Sequence, residues 1–360
     1  MARLFSNLVP GRGAWKGSSL YLVLAIVAFG VVVFLLFRGH SSGPKEAAAA
    51  GDVSAAPAPV EPAPVADTQS FSETAAGQAA PPSASGSVER PPFSSTMPAA
   101  GTLSQANPQA QTAIDEALAQ SRARPNEVVA VRDKLNKVLQ MPLSAEQRET
   151  VRGEMTKLAD GWLFGPAAFP SDTLCDTYVV KRGDLLDVIG RRLKVPYEFL
   201  MQINSIPRPQ ALQAGRALKV VKGPFHAKVY RSTFTLDLYL QDTYVRSFKV
   251  GLGKPGYETP TGLWRVQENG KLIKPTWTDP DTNRMYKASD PDYPLGSRWI
   301  ALDGISGAAQ GRTGFAIHGT KEPEQIGTPG SRGCVRMYNG DVVLMYNLLV
   351  PLYSQVEVLD

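Results

Sequence analysis

The pattern of hydrophobic and polar positions first sets apart residues 20–37, an uncharged apolar run of 18 residues. As a helix this run would be about 27 Å long, close to the roughly 30 Å hydrocarbon core of a bilayer. Three basic residues precede it and Arg38 follows it, so the positive-inside tendency places residues 1–18 in the cytoplasm. We expect an uncleaved signal anchor over residues 19–38. The alternative, a cleaved signal peptide, has a shorter apolar core and a small-residue cleavage site.

Residues 39–103 show no regular spacing of apolar positions. Ala, Pro, Ser and Gly dominate the segment, and aromatic residues are few. Such a composition buries too little apolar surface to offset the entropy of ordering, so we expect a linker. Sixty residues of flexible chain span on the order of 45 Å, which would hold the following domains at a distance from the membrane.

Helical spacing of apolar positions begins at residue 104, and the pattern predicts a small all-α unit over residues 104–170. An apolar stripe at positions 128–139 follows a Pro-Asn pair, an arrangement that suits a helix start. Ser144 and Gln147 have the spacing of a capping box for a third helix. Two roles stay open for this unit, a packing element or spacer and a module that binds a partner.

Residues 176–222 are patterned as strand, helix, helix and strand, with a Gly183-Asp184 turn after the first strand and Asn204 near the end of the second helix. This α+β order resembles the LysM domain, a module that binds the N-acetylglucosamine-containing glycan of peptidoglycan or chitin. The resemblance implies glycan contacts from Gly183, Asp184 and Asn204. Leu185 departs from the family, in which a hydroxyl residue is common at this position. The alternative is that the module packs on the rest of the chain and binds nothing.

Residues 225–360 are rich in strands with period-two alternation, clearest over residues 233–240. Such alternation predicts a mainly β domain whose sheets bury one face. Near the end, Asn339-Gly-Asp341 would cap a helix, and a last strand would run over residues 355–359.

Candidate chemistry concentrates in this domain between His318 and Arg336. The segment holds Cys334, one of two cysteines, and His318, one of three histidines. A thiol has a reference pKa of about 8.5, so Cys334 needs a base or a positive field to become a nucleophile. His318 supplies the base if the loop folds back, and Arg332 and Arg336 add positive charge. The backbone N–H groups of Gly333 and Cys334 would then receive the oxyanion of an acyl-transfer intermediate.

Taken alone, such a cysteine is most often a small buried hydrophobe, and the histidine is usually structural. Their sequence context favours catalysis, because two blocks, Gly314-Phe-Ala-Ile-His318-Gly-Thr320 and Ser331-Arg-Gly-Cys334-Val-Arg336, resemble the active-site signature of the YkuD-type L,D-transpeptidases. These bacterial cell-wall enzymes cross-link peptidoglycan stem peptides through a cysteine acyl-enzyme. The order of the two residues argues against the NlpC/P60-type peptidases, in which the cysteine precedes the histidine. The resemblance covers residues 225–360.

The resemblance implies a role for each residue. Cys334 would attack the L-centre of meso-diaminopimelate in a donor tetrapeptide and expel D-Ala. His318 would act as general base and acid, oriented by the Gly319 backbone carbonyl, and the side-chain amine of an acceptor diaminopimelate would resolve the thioester. Three further residues would contact substrate: Ser331, Arg332 and Arg336. For Ser331 and Arg336, support of their own loop is the alternative. Many family members carry a second histidine in place of Arg332, and arginine cannot act as a base, so His318 alone must suffice.

Three alternatives stay open beside cross-linking. If water resolves the thioester, the protein is an L,D-carboxypeptidase with the same catalytic residues. If a lysine of an anchored lipoprotein resolves it, the protein is a lipoprotein-to-peptidoglycan transferase. If the catalytic domain is inert, the protein is a non-catalytic wall anchor that acts through its LysM domain.

Composition and motifs exclude other classes. The net charge is +5 and no basic stripe is interleaved with aromatic residues, so nucleic acid is not an expected partner. No cluster has metal-ligand spacing and no Gly-rich phosphate loop follows a strand, so no metal or cofactor is expected. The expected partners are peptidoglycan stem peptides, glycan strands and the inner membrane, with the C-terminal domains in the periplasm or cell-wall space. Cys175 is predicted not to reach Cys334, because a disulfide would lock the nucleophile.

Overall fold

The structure is a computed structural model that describes residues 105–360. The expected signal anchor at residues 19–38 and the linker at residues 39–103 lie outside the described residues. From residue 105 to residue 360, no helix combines the length and the apolar character needed to cross a membrane.

Three helices open the described part of the chain: α1 (Pro108–Ala123), α2 (Val128–Val138) and α3 (Ala145–Trp162). The Asn107 side chain begins α1, because it accepts hydrogen bonds from the backbone N–H groups of Gln109 and Ala110. At the start of α3, Ser144 and Gln147 form a capping box. The capping box predicted from their spacing is therefore confirmed.

A strand–helix–helix–strand module follows: β1 (Cys175–Val179), α4 (Leu186–Leu193), α5 (Tyr197–Ile203) and β2 (Ala217–Val221). The strands β1 and β2 pair antiparallel. Gly183 has a φ of +87° in the turn after β1, a conformation that only glycine adopts without steric cost. In the same turn, the Asp184 carboxylate accepts hydrogen bonds of 2.7 Å from the Lys181 N–H and from the Tyr178 hydroxyl. The predicted order of elements is confirmed.

The remaining elements form a mainly β domain: β3 (Phe225–Tyr230), β4 (Thr235–Leu240), β5 (Thr243–Lys249), β6 (Leu252–Gly253), β7 (Gly262–Leu272), β8 (Trp277–Thr278), β9 (Met285–Tyr286), β10 (Trp299–Ser306), β11 (Phe315–His318), β12 (Pro329–Ser331), β13 (Val335–Arg336), α6 (Asn339–Leu348) and β14 (Gln355–Leu359). An eight-stranded sheet has the order β13-β11-β10-β7-β14-β3-β4-β5, while β6 pairs with β12 and β8 pairs with β9. The large sheet packs against the buried side chains of α6, and the strand predicted at residues 355–359 is confirmed as β14.

The prediction of one buried face is wrong for β3 and β4, in which side chains of both faces are buried. The three helices cover the face that an isolated domain would expose to water. Tyr239 and Tyr244 belong to the same buried cluster as the apolar stripes of α1, α2 and α3. An ion pair between Arg152 of α3 and the buried Asp237 of β4 joins the two parts. The helical unit therefore packs on the domain, and binding of a partner by this unit stays a prediction.

The helix α6 begins where we expect it, but Asn339 does not cap it. The N-cap residue is Tyr338, and it makes no side-chain capping hydrogen bond. Instead, the Asn339 amide accepts a hydrogen bond of 2.9 Å from the Ser297 N–H and donates one of 2.8 Å to the Thr320 carbonyl. Asn339 thus holds together two loops that border the candidate active site.

Candidate active site

Pairing of two short strands brings the two motif blocks together. β11 and β13 are parallel, with Ile317 opposite Val335 and His318 opposite Arg336. Side chains alternate between the two faces of a sheet, and directly paired residues share a face. Cys334 immediately precedes β13, so the register directs its side chain to the face that carries His318. The loop does fold back, as the interpretation of His318 as a base requires.

The imidazole of His318 is fixed by its surroundings. Its side chain is buried, and Nδ1 lies 2.6 Å from the Gly319 carbonyl oxygen. A carbonyl oxygen can only accept, so Nδ1 carries the proton and Nε2 of the neutral ring is the basic nitrogen. Trp299, paired with His318 across β10 and β11, stacks on the ring with centroids 5.5 Å apart. The carbonyl expected to orient His318 is in place.

Burial keeps His318 neutral. It lowers the pKa of His318 to about 4, and the nearby charge of Arg336 acts in the same direction. The hydrogen bonds to the Gly319 and Leu295 carbonyls act in the opposite direction and are outweighed. A charged imidazolium is costly in such an environment. At neutral pH the ring is therefore unprotonated at Nε2 and competent to accept a proton.

The Cys334 thiol is also neutral. It is half-buried, and its Sγ lies 4.0 Å from the Gly314 carbonyl oxygen. Burial raises the pKa of Cys334 to about 11, although the Ala316 N–H and the Arg336 charge act in the opposite direction. We expected the neighbouring arginines to favour the thiolate, but desolvation outweighs their effect.

Ser331 organises the loop before the cysteine. Its hydroxyl donates a hydrogen bond of 2.7 Å to the Cys334 carbonyl and accepts one of 3.1 Å from the Gly333 N–H. The Gly333 N–H, which we predicted to receive the oxyanion, donates to Ser331 in this structure, and its role as an oxyanion donor stays a prediction. The Cys334 N–H is the other donor that we predicted. Ser331 has the loop-supporting role that was one of its two alternatives.

Gly333 has a steric reason to be glycine. Its φ is +106°, and a Cβ atom at this position would lie 2.5 Å from the ring of Phe315. The Phe315 ring itself packs against Trp264, with centroids 4.9 Å apart. The backbone before the thiol therefore runs directly against an aromatic wall, which no property of the motif alone predicts.

The two arginines of the loop differ in their environment. Arg336 is buried, its guanidinium donates a hydrogen bond of 2.7 Å to Gln325, and Glu322 lies 3.6 Å away. Arg336 thus binds its own loop, one of the two roles that we considered. Arg332 is more exposed, at 34% of its side chain, and pairs with Asp281. Contact of either arginine with substrate stays a prediction.

Sequence patterns did not predict what several residues around this site contact: Trp299, Phe315, Asn339, Asp281 and Tyr257. Trp299 and Asn339 lie near recognisable blocks of the chain, but only the sheet register and the loop contacts reveal what they touch. Asp281 lies in a separate hairpin, far along the chain from the cysteine, and nothing in the local sequence connects the two.

The LysM-like module uses its predicted glycan residues partly for its own fold. The Asn204 amide donates to the carbonyls of Leu200 and Lys219 and accepts from the Lys219 N–H, at 2.8 to 2.9 Å. Leu185, beside the Gly183-Asp184 turn, is 60% exposed. Glycan binding by Gly183, Asp184 and Asn204 stays a prediction.

Both cysteines are free, so the predicted absence of a disulfide is confirmed. Cys175 is buried in β1, with its Sγ 3.8 Å from the Trp162 carbonyl oxygen. Burial raises the pKa of Cys175 to about 12. At neutral pH this second thiol is therefore protonated.

Solved structures that match part of this chain include two L,D-transpeptidases. The catalytic domain of the enzyme from E. faecium is 19% identical at a TM-score of 0.29, with 37% of this chain and 95% of that chain covered. The enzyme from Mycobacterium smegmatis is 14% identical at a TM-score of 0.29, with 41% and 64% covered.

Two family models match the described chain. The model of the L,D-transpeptidase catalytic domain, YkuD, matches residues 224–358. The model of the LysM domain matches residues 178–221. The catalytic match contains both motif blocks, and the LysM match contains the βααβ module.

Curated relatives from Bacillus subtilis are classed by name among the L,D-transpeptidases. YkuD is 29% identical over 181 residues, which cover 48% of this chain and 93% of the relative. YqjB is 31% identical over 134 residues, which cover 37% of this chain and 69% of the relative. ErfK/SrfK of Escherichia coli, also classed there, is 33% identical over 127 residues, covering 32% of this chain and 37% of the relative. With both motif blocks paired across one sheet and these matches, the chain belongs to the YkuD-type L,D-transpeptidase family and carries a LysM domain ahead of its catalytic domain.

Proposed function

We propose that this protein is a peptidoglycan L,D-transpeptidase that works through a thioester on Cys334. The Cys334 sulfur attacks the carbonyl at the L-centre of meso-diaminopimelate in a donor tetrapeptide. The peptide bond to the terminal D-Ala breaks, and D-Ala leaves as the amine. The side-chain amine of diaminopimelate in an acceptor stem then attacks the thioester and releases the thiol. The thioester conserves the energy of the broken peptide bond, so no further energy source is needed.

One observation carries this proposal, the shared face of Cys334 and His318 across β11 and β13. With Nδ1 held by the Gly319 carbonyl, Nε2 takes the thiol proton as the sulfur attacks. The imidazolium then gives this proton to the departing D-Ala amine. In the second half, Nε2 takes a proton from the acceptor amine and returns it to the sulfur. His318 therefore serves as base and acid in turn.

The backbone beside the thiol supplies the electrostatic part. The Cys334 N–H is the donor that we assign to the oxyanion of the tetrahedral intermediate. Ser331 holds the Cys334 carbonyl and the Gly333 N–H, and so fixes the orientation of the peptide units around the sulfur. Preorganised donors of this kind need no rearrangement at the moment of reaction.

We also assign the remaining parts of the chain to the cell wall. The LysM domain would bind the glycan strand whose stem peptides the catalytic domain uses, with the exposed Leu185 beside the Gly183-Asp184 turn forming part of the contact. The segment at residues 19–38 would anchor the protein in the cytoplasmic membrane, with its folded domains in the periplasm. This arrangement would keep the enzyme within reach of its substrate.

The test uses the purified full-length protein and a synthetic donor tetrapeptide, with an acceptor stem added or left out. We expect release of D-Ala, a cross-linked dimer when the acceptor is present, and a thioester adduct of Cys334 in the intact mass. Cys334→Ala should abolish all three, while Cys175→Ala, which removes the second thiol, should abolish none.

The products identify the acceptor. A tripeptide instead of a dimer would show that water resolves the thioester, and the protein would then be an L,D-carboxypeptidase. Absence of both D-Ala release and the adduct, in protein whose Cys334 still reacts with iodoacetamide, would refute the proposed chemistry.

A further inference from the structure

A hairpin beside the catalytic loop has a small core of its own. Residues 273–295, called the side hairpin below, contain the paired strands β8 and β9. Tyr286, Tyr293 and Leu295 form a buried cluster with Trp277 and Trp299, apart from the main core of the domain. Asp281, at the tip of the side hairpin, is not part of this cluster, while Trp299 connects the cluster to the large sheet and to the ring of His318.

The tip of the side hairpin is joined to the catalytic loop by the ion pair between Asp281 and Arg332. Arg332 lies two residues before Cys334, and its guanidinium also covers the ring of Tyr257 at 5.4 Å from the centroid. The two partners of the ion pair are exposed to 59% and 34% of their side-chain areas. Arg332 thus connects the side hairpin and the segment around Tyr257 at a point beside the thiol.

We propose that Asp281 occupies the place on Arg332 at which a carboxylate of the donor peptide binds. Binding of the donor would exchange one carboxylate for another, and the same step would release the tip of the side hairpin. This inference rests on the proposed function, because the donor of that reaction carries carboxylates at its terminal D-Ala and at the D-centre of diaminopimelate. Arg332 is then a substrate-recognition residue, and Asp281 is its internal competitor.

Three observations favour Arg332 for this role. A guanidinium presents paired N–H donors that match a carboxylate. The ion pair with Asp281 is partly exposed, so water screens it and a second carboxylate can replace it at little cost. Arg336, the other cation near the thiol, is buried and already bound to Gln325, which leaves it less accessible to an incoming ligand.

The side hairpin offers a matched control. Arg284 and Asp292 form a second ion pair within the hairpin, with exposed fractions of 53% and 41%. Asp281→Asn and Asp292→Asn remove the same charge from the same element. Only the first removes a partner of Arg332.

The experiment measures kcat and KM for alanine release by the full-length protein from three donor tetrapeptides. One donor has all its carboxylates, one is amidated at the terminal D-Ala, and one is amidated at the D-centre of diaminopimelate. With the first donor, we expect Asp281→Asn to lower KM about fivefold at a nearly unchanged kcat, and Arg332→Gln to raise KM about tenfold. Asp292→Asn should match the wild type. If amidation of one carboxylate abolishes the lower KM of Asp281→Asn, that carboxylate is the one that Arg332 binds.

Three results would overturn the exchange. Equal effects of Asp281→Asn and Asp292→Asn on KM would mean that the ion pair between Asp281 and Arg332 has no role in substrate binding. If Asp281→Asn lowers KM equally for both amidated donors, the side hairpin only blocks access to the thiol. An equal increase in the rate at which neutral iodoacetamide alkylates Cys334 would have the same meaning. Wild-type protein that releases no alanine from any donor, while iodoacetamide still alkylates Cys334, would refute the proposed function and the exchange with it.

Discussion

The two residues at the centre of the site are both uncharged at neutral pH. Burial raises the pKa of Cys334 to about 11 and lowers the pKa of His318 to about 4. A preformed thiolate–imidazolium pair would need the opposite order of these two pKa values. The proton must therefore move from sulfur to Nε2 during the attack, so His318 acts as a general base.

This protonation state predicts two different pH profiles. The rate of Cys334 acylation by the donor tetrapeptide should be flat from about pH 5 to about pH 10, because the neutral imidazole accepts the thiol proton. It should fall as the pH drops through about 4, where His318 takes up a proton. Alkylation by iodoacetamide follows the thiolate fraction, so its rate should rise about tenfold per pH unit towards pH 11.

His318→Asn separates the two reactions. It should lower the acylation rate at pH 7 by about 100-fold or more and give it the same rising profile as alkylation. The alkylation rate, measured by intact mass with the second thiol removed by Cys175→Ala, should change little. A plateau of wild-type alkylation above pH 7 would contradict the neutral pair and show a stabilised thiolate.

At the residue scale, the motif predicts which side chains carry the chemistry but not their partners. His318, Gly319 and Cys334 are arranged as their order and spacing indicate. The hydrogen bond from the Gly333 N–H to Ser331 was not predicted, and through it a hydroxyl two residues earlier competes with the oxyanion for the same N–H. Such competition depends on the local path of the loop, which spacing along the chain does not fix.

At the element scale, the sequence predicts correctly those features of helices and turns that depend on contacts between residues close together in the chain. The capping box at Ser144 and the glycine turn at Gly183 follow from short-range hydrogen bonds and steric limits. The burial of β4 on both faces could not be predicted in this way, because the covering helices come from about one hundred residues earlier in the chain. Asp237 in that strand is buried although it is charged, and this burial shows that the helices cover the second face of the sheet.

The ion pair of Asp237 with Arg152 therefore tests the docking of the helices. Asp237 is fully buried, and burial raises its pKa against the opposing charge of Arg152. Arg152→Met would leave a buried carboxylate without its main counter-charge, and we expect a loss of about 3 kcal/mol in the free energy of unfolding at pH 7. Urea denaturation followed by circular dichroism measures it.

Two further variants sharpen this measurement. Arg152→Met combined with Asp237→Leu removes both charges, and most of the lost stability should return, because a buried ion pair and an apolar pair of similar volume are nearly equivalent. Arg124→Met removes an exposed ion pair with Glu127 in the link between α1 and α2 and should leave the urea midpoint unchanged. Equal midpoints for Arg152→Met and Arg124→Met would mean that the Asp237 pair does not hold the helices to the sheet.

At the scale of the whole molecule, the order of parts along the described chain could be predicted, but not how they are joined. Composition and periodicity separate the helices, the LysM domain and the catalytic domain. The same hydrophobic core runs from Trp162 of α3 through the LysM domain into the sheet. Apolar residues at domain surfaces look like ordinary core residues in the sequence, so the shared core becomes visible only in three dimensions.

This shared core also encloses ionisable groups, and two of them predict how the whole fold responds to acid. His226 of β3 and His318 are both buried, and burial lowers the pKa of each to about 4. In the unfolded chain a histidine has a pKa of about 6.5, so between pH 6.5 and pH 4 the unfolded state binds more protons than the folded state. The stabilisation is complete above pH 6.5 and is lost progressively as the pH falls towards 4.

The variant His226→Gln isolates one of these contributions. His226 accepts a hydrogen bond of 3.1 Å at Nδ1 from the Gln355 N–H, and the glutamine carbonyl can accept the same bond without titrating. Between pH 6.5 and pH 4 we expect the free energy of unfolding to fall in both proteins. The fall should be larger in the wild type than in the variant, by up to about 3 kcal/mol. Urea denaturation of both proteins at half-unit pH steps measures this difference, in which the carboxylates common to both proteins cancel. A difference that does not vary with pH would mean that His226 has the same pKa in the folded and in the unfolded protein, which its buried position between β4 and β14 argues against.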